Sequence, residues 1–174
     1  MLDGIVLALV AVALALAVRT LLAEPVRIKG GSMRETLHNG EIVLVTRFDR
    51  FLRSPRRHEV VICHYPGRYL DRWKLIPQQF VKRIIGLPGE TVEIIEGVVH
   101  IDGVPLEEPY LDESLCRRKS TMAPVTLGPD EFFVMGDNRD HSNDSRRVGA
   151  ISRRMVVGSV RRVLWPIRSW RRVD

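Results

Sequence analysis

One serine and one lysine of this chain stand in settings that suit nucleophilic chemistry, and the serine is Ser32. It lies in the stretch GGSMRETL, residues 30–37, after two glycines and before a methionine. A serine hydroxyl becomes a useful nucleophile when a neighbouring base takes its proton. Gly-Gly-Ser is also ordinary turn chemistry, so the stretch alone favours a loop. The hypothesis of a catalytic serine therefore depends on finding a base.

The candidate base is Lys82, one of only four lysines among 27 basic residues. It stands in FVKRIIGLPGE, residues 80–90, where strict alternation along a strand places it on the same face as the apolar Ile84. Burial disfavours the ammonium form and lowers the lysine pKa, which produces a neutral amine able to act as a general base. An edge-strand lysine that points into water is the ordinary alternative, because lysine is rarely buried.

A third stretch, GDNRDHSNDSRRVG at residues 136–149, follows directly on the apolar run EFFVM. Its acids, arginines and hydroxyls can form a closed hydrogen-bond network, and such a network fixes the neighbouring backbone. An exposed loop stabilised by local Asx-turns is the ordinary alternative. The composition indicates a functional loop.

The elements that must position these residues are short runs of β-branched residues, which predict strands. Turn dipeptides such as Asn39-Gly40, Glu96-Gly97 and Asp102-Gly103 separate them, so we expect hairpins and largely antiparallel sheets. We expect one all-β domain with a projecting hairpin and an extended loop at residues 109–124. The predicted strands cover residues 41–45, 59–63, 80–87, 91–104, 131–136 and 154–165.

The N-terminal segment, residues 4–23, is apolar apart from Arg19 and Thr20 and has roughly the 20 residues that span a hydrocarbon core. It predicts a retained membrane anchor. A cleavable signal peptide is the alternative, but no basic region precedes the apolar run. The excess of cationic residues after the span would keep the body in the cytoplasm, although long domains cross membranes largely regardless of charge.

The composition disfavours several function classes. The net charge of +6 suits nucleic-acid binding, but no aromatic stacking platform or recognition motif accompanies the arginines. We therefore interpret the arginine clusters as solvated surface or as contacts to anionic lipid headgroups. Cys63, Cys116 and the five histidines lack the spacings of zinc or redox motifs. We therefore expect no metal, no cofactor and no nucleic-acid partner, and a Cys63–Cys116 disulfide stays open.

Together the three stretches resemble the bacterial type I signal peptidases, membrane-bound proteases of the S26 family that use a Ser/Lys dyad. Every fixed position of the family pattern Gly-Asp-Asn-Arg-x-x-Ser-x-Asp-Ser-Arg-x-x-Gly is filled at residues 136–149. The resemblance implies a mainly β fold: an N-terminal transmembrane helix, then a twisted antiparallel β-barrel-like catalytic domain with a small β-hairpin appendage. It places residues 1–3 in the cytoplasm, 4–23 in the membrane and 24–174 outside, with the appendage at 88–128.

The same resemblance assigns roles to individual residues. Ser32 becomes the nucleophile, Lys82 the general base and Met33 a neighbour of the substrate pocket, while Ser142 orients the Lys82 amine. Five charged residues brace the site: Asp144 with Arg146 as an ion pair, and Arg83, Asp137 and Arg139 as framework. Two positions depart from the family: Gly30 lacks the hydroxyl that some members have, and Glu35 replaces the usual proline.

The resemblance thus implies an endopeptidase of a bacterial cytoplasmic membrane, with its catalytic domain on the outer face, that removes signal peptides from exported preproteins. Its partners are those signal peptides and the lipid bilayer. One alternative is an inactive, membrane-tethered β domain that binds peptides or lipids through its arginines. Another is a self-cleaving Ser/Lys protease of the repressor type, which needs a DNA-binding helix-turn-helix where this chain has an apolar run.

Overall fold

The computed structural model describes residues 4–12, 14, 23–48, 53–70, 72–73, 75, 77–111 and 119–173. They form two antiparallel sheets, which confirms the expected mainly β class. The strands are β1 (Ala23–Arg27), β2 (Ile42–Thr46), β3 (Val60–Tyr69), β4 (Pro77–Gly86), β5 (Thr91–Ile95), β6 (Val98–Ile101), β7 (Val104–Pro105), β8 (Met122–Thr126), β9 (Glu131–Met135), β10 (Ile151–Ser152), β11 (Val156–Trp165) and β12 (Arg171–Arg172).

The main sheet has the order β1-β2-β11-β3-β4-β9-β10, and β12 pairs with β11. Among the described residues β1 and β10 are free ends of this path, so the expected barrel-like closure is wrong for this part of the chain. Two local features explain the open edges. Pro25 in β1 has no N–H to donate, and β10 has only two residues.

The second sheet has the order β7-β6-β5-β8 and is built from tight hairpins. Glu96 and Gly97 both have positive φ angles, 48° and 88°, as do Asp102 and Gly103, at 51° and 80°. A two-residue loop with positive φ at both positions matches the twist of the flanking strands. These dipeptides therefore fix the register of the sheet.

Three apolar clusters hold the sheets. The first lies on β2 and β11 and includes Val43, Val45 and Val160. The second and third use neighbouring residues of β4: Ile84 packs in the second, while Ile85 packs in the third, which joins β4 and β9 to the second sheet. Because side chains alternate along a strand, β4 contributes to the core on both faces.

The N-terminal segment is only partly described. Residues 4–12 and 14 are helical, and residues 1–3, 13 and 15–22 lie outside the described residues. Ala23, which the sequence assigns to the anchor, is instead the first residue of β1 and pairs with Thr46. No helix within the described ranges is long and apolar enough to cross a bilayer.

Two loop regions also differ from the sequence expectation. Residues 109–124 were expected to be an extended loop, but β8 begins at Met122, and residues 112–118 lie outside the described part of the chain. Cys116 falls in that gap, and Cys63 is a buried free thiol whose pKa is raised by burial to about 12.

Candidate active site

The structure brings Ser32 and Lys82 into hydrogen-bond contact. Lys82 Nζ lies 2.7 Å from Ser32 Oγ and donates a second hydrogen bond of 2.8 Å to the Val81 carbonyl oxygen. Lys82 belongs to β4, and Ser32 lies in a turn that follows β1 and is closed by the N–H of Leu37 donating to Met33 O at 2.6 Å. The contact therefore joins a regular strand to a tight turn.

The Lys82 side chain is buried, with only 2 % of its surface exposed. Burial lowers the pKa of its amine below the ordinary value of 10.5, because removing an ammonium group from water favours the neutral form. The carboxylates of Asp144 and Asp137 raise the pKa, but the effect of burial is larger. Lys82 thus combines proximity to a hydroxyl with a shift toward the form that accepts a proton.

The turn that carries Ser32 is fastened to the loop at residues 136–149 by Asn138. The Asn138 N–H donates to Ser32 O at 3.0 Å, and its side-chain amide donates to Gly31 O at 3.0 Å. The carbonyl groups of Gly31 and Ser32, one on each side of the Ser32 Cα atom, are therefore both held by Asn138. The two hydrogen bonds fix the planes of the peptide groups on each side of the serine.

Gly136 lies where this loop comes closest to the serine. A Cβ atom built on Gly136 would lie 2.4 Å from Ser32 O and 2.3 Å from Ser142 Oγ, far inside contact distance. Only a residue without a side chain fits between the two serines. Ser142 is buried, and its hydroxyl makes no hydrogen bond of ordinary geometry, although it helps to lower the pKa of the nearby Asp144 carboxyl.

Asp144 and Arg146 form the ion pair expected from the sequence. Arg146 donates from Nε and from a terminal nitrogen to Asp144, both at 2.9 Å, and the Gly136 N–H donates to the same carboxylate at 3.0 Å. Burial alone would raise the pKa of Asp144, but the hydrogen bonds and charge of Arg146 lower it overall. The carboxylate therefore holds the start of the loop at Gly136.

Arg83 and Asp137 form a second, fully buried ion pair. Arg83 donates from Nε at 2.9 Å and from a terminal nitrogen at 2.8 Å, a two-point contact with the Asp137 carboxylate. Thr36, in the Ser32 turn, donates to the same carboxylate, and the Tyr110 ring lies 3.8 Å from the guanidinium carbon. This pair connects β4, the Ser32 turn and the residues 136–149.

Arg139 extends the network to the second sheet. It donates to Gly136 O at 3.2 Å and to Glu108 Oε2 at 2.9 Å, and its own carbonyl accepts from Arg146 at 2.8 Å. Glu108 follows β7, so its ion pair ties the second sheet to the loop beside Ser32.

Several contributors were missed by the sequence reasoning. Thr36, Tyr110 and Glu108 carry no local signal, because the arginines that they contact lie 27 or more residues away in the sequence. Asn138 lies in the stretch at residues 136–149, but the sequence analysis assigned it no individual role. Met33, expected beside the substrate pocket, is buried in the first apolar cluster beneath the turn.

Glu35 is the position at which the chain departs from the proline of the resembling family. Both of its carboxylate oxygens are shielded from solvent. The carboxylates with the largest effects on the Lys82 pKa are those of Asp144 and Asp137. As to metals, no three His, Cys, Asp or Glu side chains of the described residues lie together as a metal site requires.

Comparison with known proteins assigns the family. A protein-family model described as signal peptidase, peptidase S26, matches residues 1–165. This chain belongs to the signal peptidase S26 family. The resemblance drawn from the three sequence stretches is thereby confirmed.

Individual signal peptidases agree with that assignment along most of the chain. Signal peptidase I of Bacillus licheniformis is 34 % identical, covering 95 % of this chain and 89 % of its own length. A probable signal peptidase I-1 of Synechocystis sp. is 34 % identical, covering 97 % of this chain and 84 % of its own. A crystal structure of a signal peptidase I from Enterococcus faecalis matches with a TM-score of 0.51 at 30 % identity, over 62 % of this chain and 97 % of that one.

Proposed function

We propose that this chain is a membrane-bound serine endopeptidase that removes N-terminal signal peptides from exported preproteins, with Ser32 as nucleophile and Lys82 as general base. The observation that carries the proposal is the 2.7 Å contact between Ser32 Oγ and the buried Lys82 amine. Family membership supports the substrate class, because the matched relatives are named signal peptidases.

The proposed reaction begins with the neutral Lys82 amine. It takes the Ser32 proton while Oγ attacks the carbonyl carbon of the scissile peptide bond. The tetrahedral intermediate then breaks its C–N bond, and the Lys82 ammonium gives its proton to the departing amine of the mature protein. A water molecule gives a proton to the regenerated Lys82 amine and attacks the acyl-serine ester. The ester C–O bond then breaks, the Lys82 ammonium returns the proton to Ser32 Oγ, and the signal peptide leaves as a carboxylic acid. Atoms and protons balance without a metal or cofactor.

The other site residues act by positioning. We assign Ser142 to orientation of the Lys82 amine, because it lies against Gly136 beside Ser32. The Asp144–Arg146 pair holds the loop that carries Ser142. Arg83, Asp137 and Arg139 hold that loop against β4 and the second sheet.

The substrate is proposed to bind as an extended strand along a sheet edge, with small side chains at the first and third positions before the cut. A cavity of about 560 Å³ lies beside the Ser32 turn and is lined by Gly30, Gly31, Arg34, His38 and Asn39, without Ser32 or Lys82. Met33 is packed beneath the Ser32 turn, so its role is to support the pocket from below.

The proposed topology follows from the sequence. Residues 4–22 anchor the chain in the cytoplasmic membrane of a bacterium, residues 1–3 stay in the cytoplasm, and residues 23–174, which begin with β1, lie on the outer face. The partners are the preprotein signal peptide and the bilayer. The uncharged run of residues 4–18 supports the anchor.

The test is cleavage of a preprotein by the full chain in phospholipid and detergent, with the new N-terminus sequenced. Wild type is expected to cut after the signal peptide, and Ser32→Ala to be inactive while its circular dichroism is unchanged. Ser120→Ala, in the segment that leads to β8, is the matched control and should cleave normally. Cleavage that survives in Ser32→Ala would refute the proposed nucleophile.

The same assay separates the two alternatives. An inactive binding domain leaves the preprotein intact in wild type as well as in Ser32→Ala. A self-cleaving protease shortens this chain itself and spares the added preprotein. Either outcome would replace the proposed function.

Asn138 provides a sharper test of the oxyanion site. In a trans peptide the N–H points opposite to the carbonyl, so the hydrogen bond from Asn138 to Gly31 O also sets the direction of the Ser32 N–H. That N–H is the proposed donor to the developing oxyanion, and losing one such donor costs about 10²- to 10³-fold in rate. Asn138→Ala is expected to lower kcat by roughly 10- to 100-fold, because the donor is misaligned rather than removed.

The readout is the division of the effect between kcat and KM. KM and the pH profile should change little, because Lys82 keeps its surroundings. The control is Asn143→Ala, in the same loop as Asn138. It removes a side-chain hydrogen bond from Asn143 to the Tyr65 hydroxyl of β3 and does not touch the Ser32 turn. An Asn138→Ala enzyme with wild-type kcat would contradict the assignment.

A further inference from the structure

The chain returns to the Ser32 turn after its last long strand. Residues 166–173, which we call the C-terminal hook, pass through a short 3-10 helix, Ile167–Ser169, and lead into β12. β12 pairs antiparallel with β11, and the Val173 N–H donates to Arg161 O at 3.0 Å. The family model matches residues 1–165, so the hook lies beyond that match.

Arg171, in β12, reaches the end of the Ser32 turn. It donates to Thr36 O at 2.5 Å and to the two oxygens of the Glu41 carboxylate at 2.8 and 2.9 Å. Glu41 in turn accepts from the His38 N–H at 2.9 Å. A planar guanidinium, with several donors in fixed directions, can hold a carbonyl group and a carboxylate at the same time. Arg171 therefore fixes the chain where it leaves the turn.

Thr36 is the residue at which the contacts of the turn converge. Its N–H donates to Met33 O at 2.9 Å, and its hydroxyl donates to the Asp137 carboxylate. Its carbonyl oxygen is the acceptor for Arg171. The three polar groups of Thr36 are thus hydrogen-bonded within the turn, to the loop at residues 136–149 and to β12.

The hook also supports the turn from within the core. Val173 is buried in the first apolar cluster, to which Met33 and Leu37 of the turn also belong. The Glu41 side chain is only 3 % exposed, so Arg171 supplies the positive charge for a carboxylate that is shielded from water. Removing one partner of such a pair is costly, because the other charge stays buried.

The Ser32 turn is therefore held from two sides. Asn138 holds the carbonyl groups of Gly31 and Ser32 at its start, and Arg171 holds the carbonyl group of Thr36 at its end. A nucleophile that is displaced by about 1 Å can lose on the order of 10²-fold in rate. Both attachments consequently bear on where the serine hydroxyl lies.

We propose that Arg171 is a positioning residue of the peptidase, which holds Thr36 O and Glu41 so that Ser32 Oγ stays within reach of the Lys82 amine. It acts through the backbone of the turn and touches neither the substrate nor the reacting atoms. The effect on rate rests on the proposed function. The effect on the turn itself does not, so the two are measured separately.

The test removes both partners of the buried pair in the full chain, because Arg171→Met alone would leave the Glu41 carboxylate without its opposite charge. Arg171→Met with Glu41→Leu leaves no charge buried, while Thr36 O and the His38 N–H lose their partners. On a preprotein in phospholipid and detergent, kcat is expected to fall at least about five-fold, with KM changed by less than about two-fold. The urea midpoint of unfolding should stay close to that of wild type.

Hydrogen exchange, followed by mass spectrometry, reports on the turn without any cleavage. Peptides that cover residues 33–41 should exchange faster in the double variant than in wild type, whereas peptides that cover β5 and β6 should not. The matched control is Arg168→Gln, at an exposed arginine of the same hook. It should keep the wild-type kcat and the wild-type exchange rates.

Wild-type kcat in the double variant would overturn the proposal, as would an effect confined to KM. A loss of kcat that accompanies a clearly lower urea midpoint would also overturn it, because Arg171 would then support the fold as a whole. If wild type leaves the preprotein uncut, the proposed function fails on its own. Unchanged exchange at residues 33–41 would refute the hold of Arg171 on the turn in either case.

Discussion

Lys82→Arg is expected to abolish preprotein cleavage even though arginine is also a long basic side chain of similar volume. Guanidinium stays protonated at every working pH and cannot take the Ser32 proton. Loss of a general base that works together with its nucleophile should lower kcat on the order of 10⁴-fold. Lys82→Ala should be as inactive, and the Ser32→Ala, Lys82→Ala double variant little worse than either single variant, because residues that act as one unit are not additive.

The measurement is kcat on a preprotein, with Lys29→Arg as the matched control at an exposed lysine. Wild-type activity should rise with pH as the Lys82 ammonium loses its proton, at a pH below 10.5 because burial lowers this pKa. The contribution of Lys82 to the free energy of unfolding also rises with pH. The folded state binds the Lys82 proton less tightly than the unfolded state does, so this stability is lost as pH falls through the folded pKa. Turnover retained by Lys82→Arg would eliminate Lys82 as the base.

The second large effect is expected on stability, from Asp137→Ala. Arg83 is 1 % exposed, and removing Asp137 leaves its guanidinium buried without the opposite charge that it contacts at two points. Breaking a buried pair from one side costs about 3–5 kcal/mol. The free energy of unfolding, measured by urea titration in detergent, should fall by that amount, and activity should fall because Thr36 also loses its acceptor.

The matched control is Glu24→Ala, which breaks an exposed pair with Arg47 and should cost less than about 1 kcal/mol. A double variant, Arg83→Met with Asp137→Leu, should recover much of the lost stability, since no charge is then left buried. Equal effects of Asp137→Ala and Glu24→Ala would contradict the buried-pair interpretation.

The sequence predicts most of what lies within single stretches. Alternation around Lys82 indicates its burial beside Ile84, and the family pattern filled at 136–149 implies the pair of Asp144 with Arg146. Dipeptides such as Asp102-Gly103 predict the hairpins of the second sheet because their positive φ is a local property.

Features that depend on distant partners were not predictable in this way. Glu108 meets Arg139 only because the second sheet packs over β9, and nothing around Glu108 signals it. β1 was missed because AEPVR has a proline and no alternation, and its pairing with β2 is what makes it a strand. β3 continues beyond the predicted run of residues 59–63, because backbone pairing with β4 extends it to Tyr69.

Strand β4 carries Lys82 close to Ile84 and Ile85, which pack in two different apolar clusters on its two faces. Close-packed interiors resist displacement, so the backbone under the Lys82 amine has little freedom to shift. The base is therefore built on a rigid support, and a bound preprotein has to bring its scissile bond to the dyad rather than the dyad to the bond.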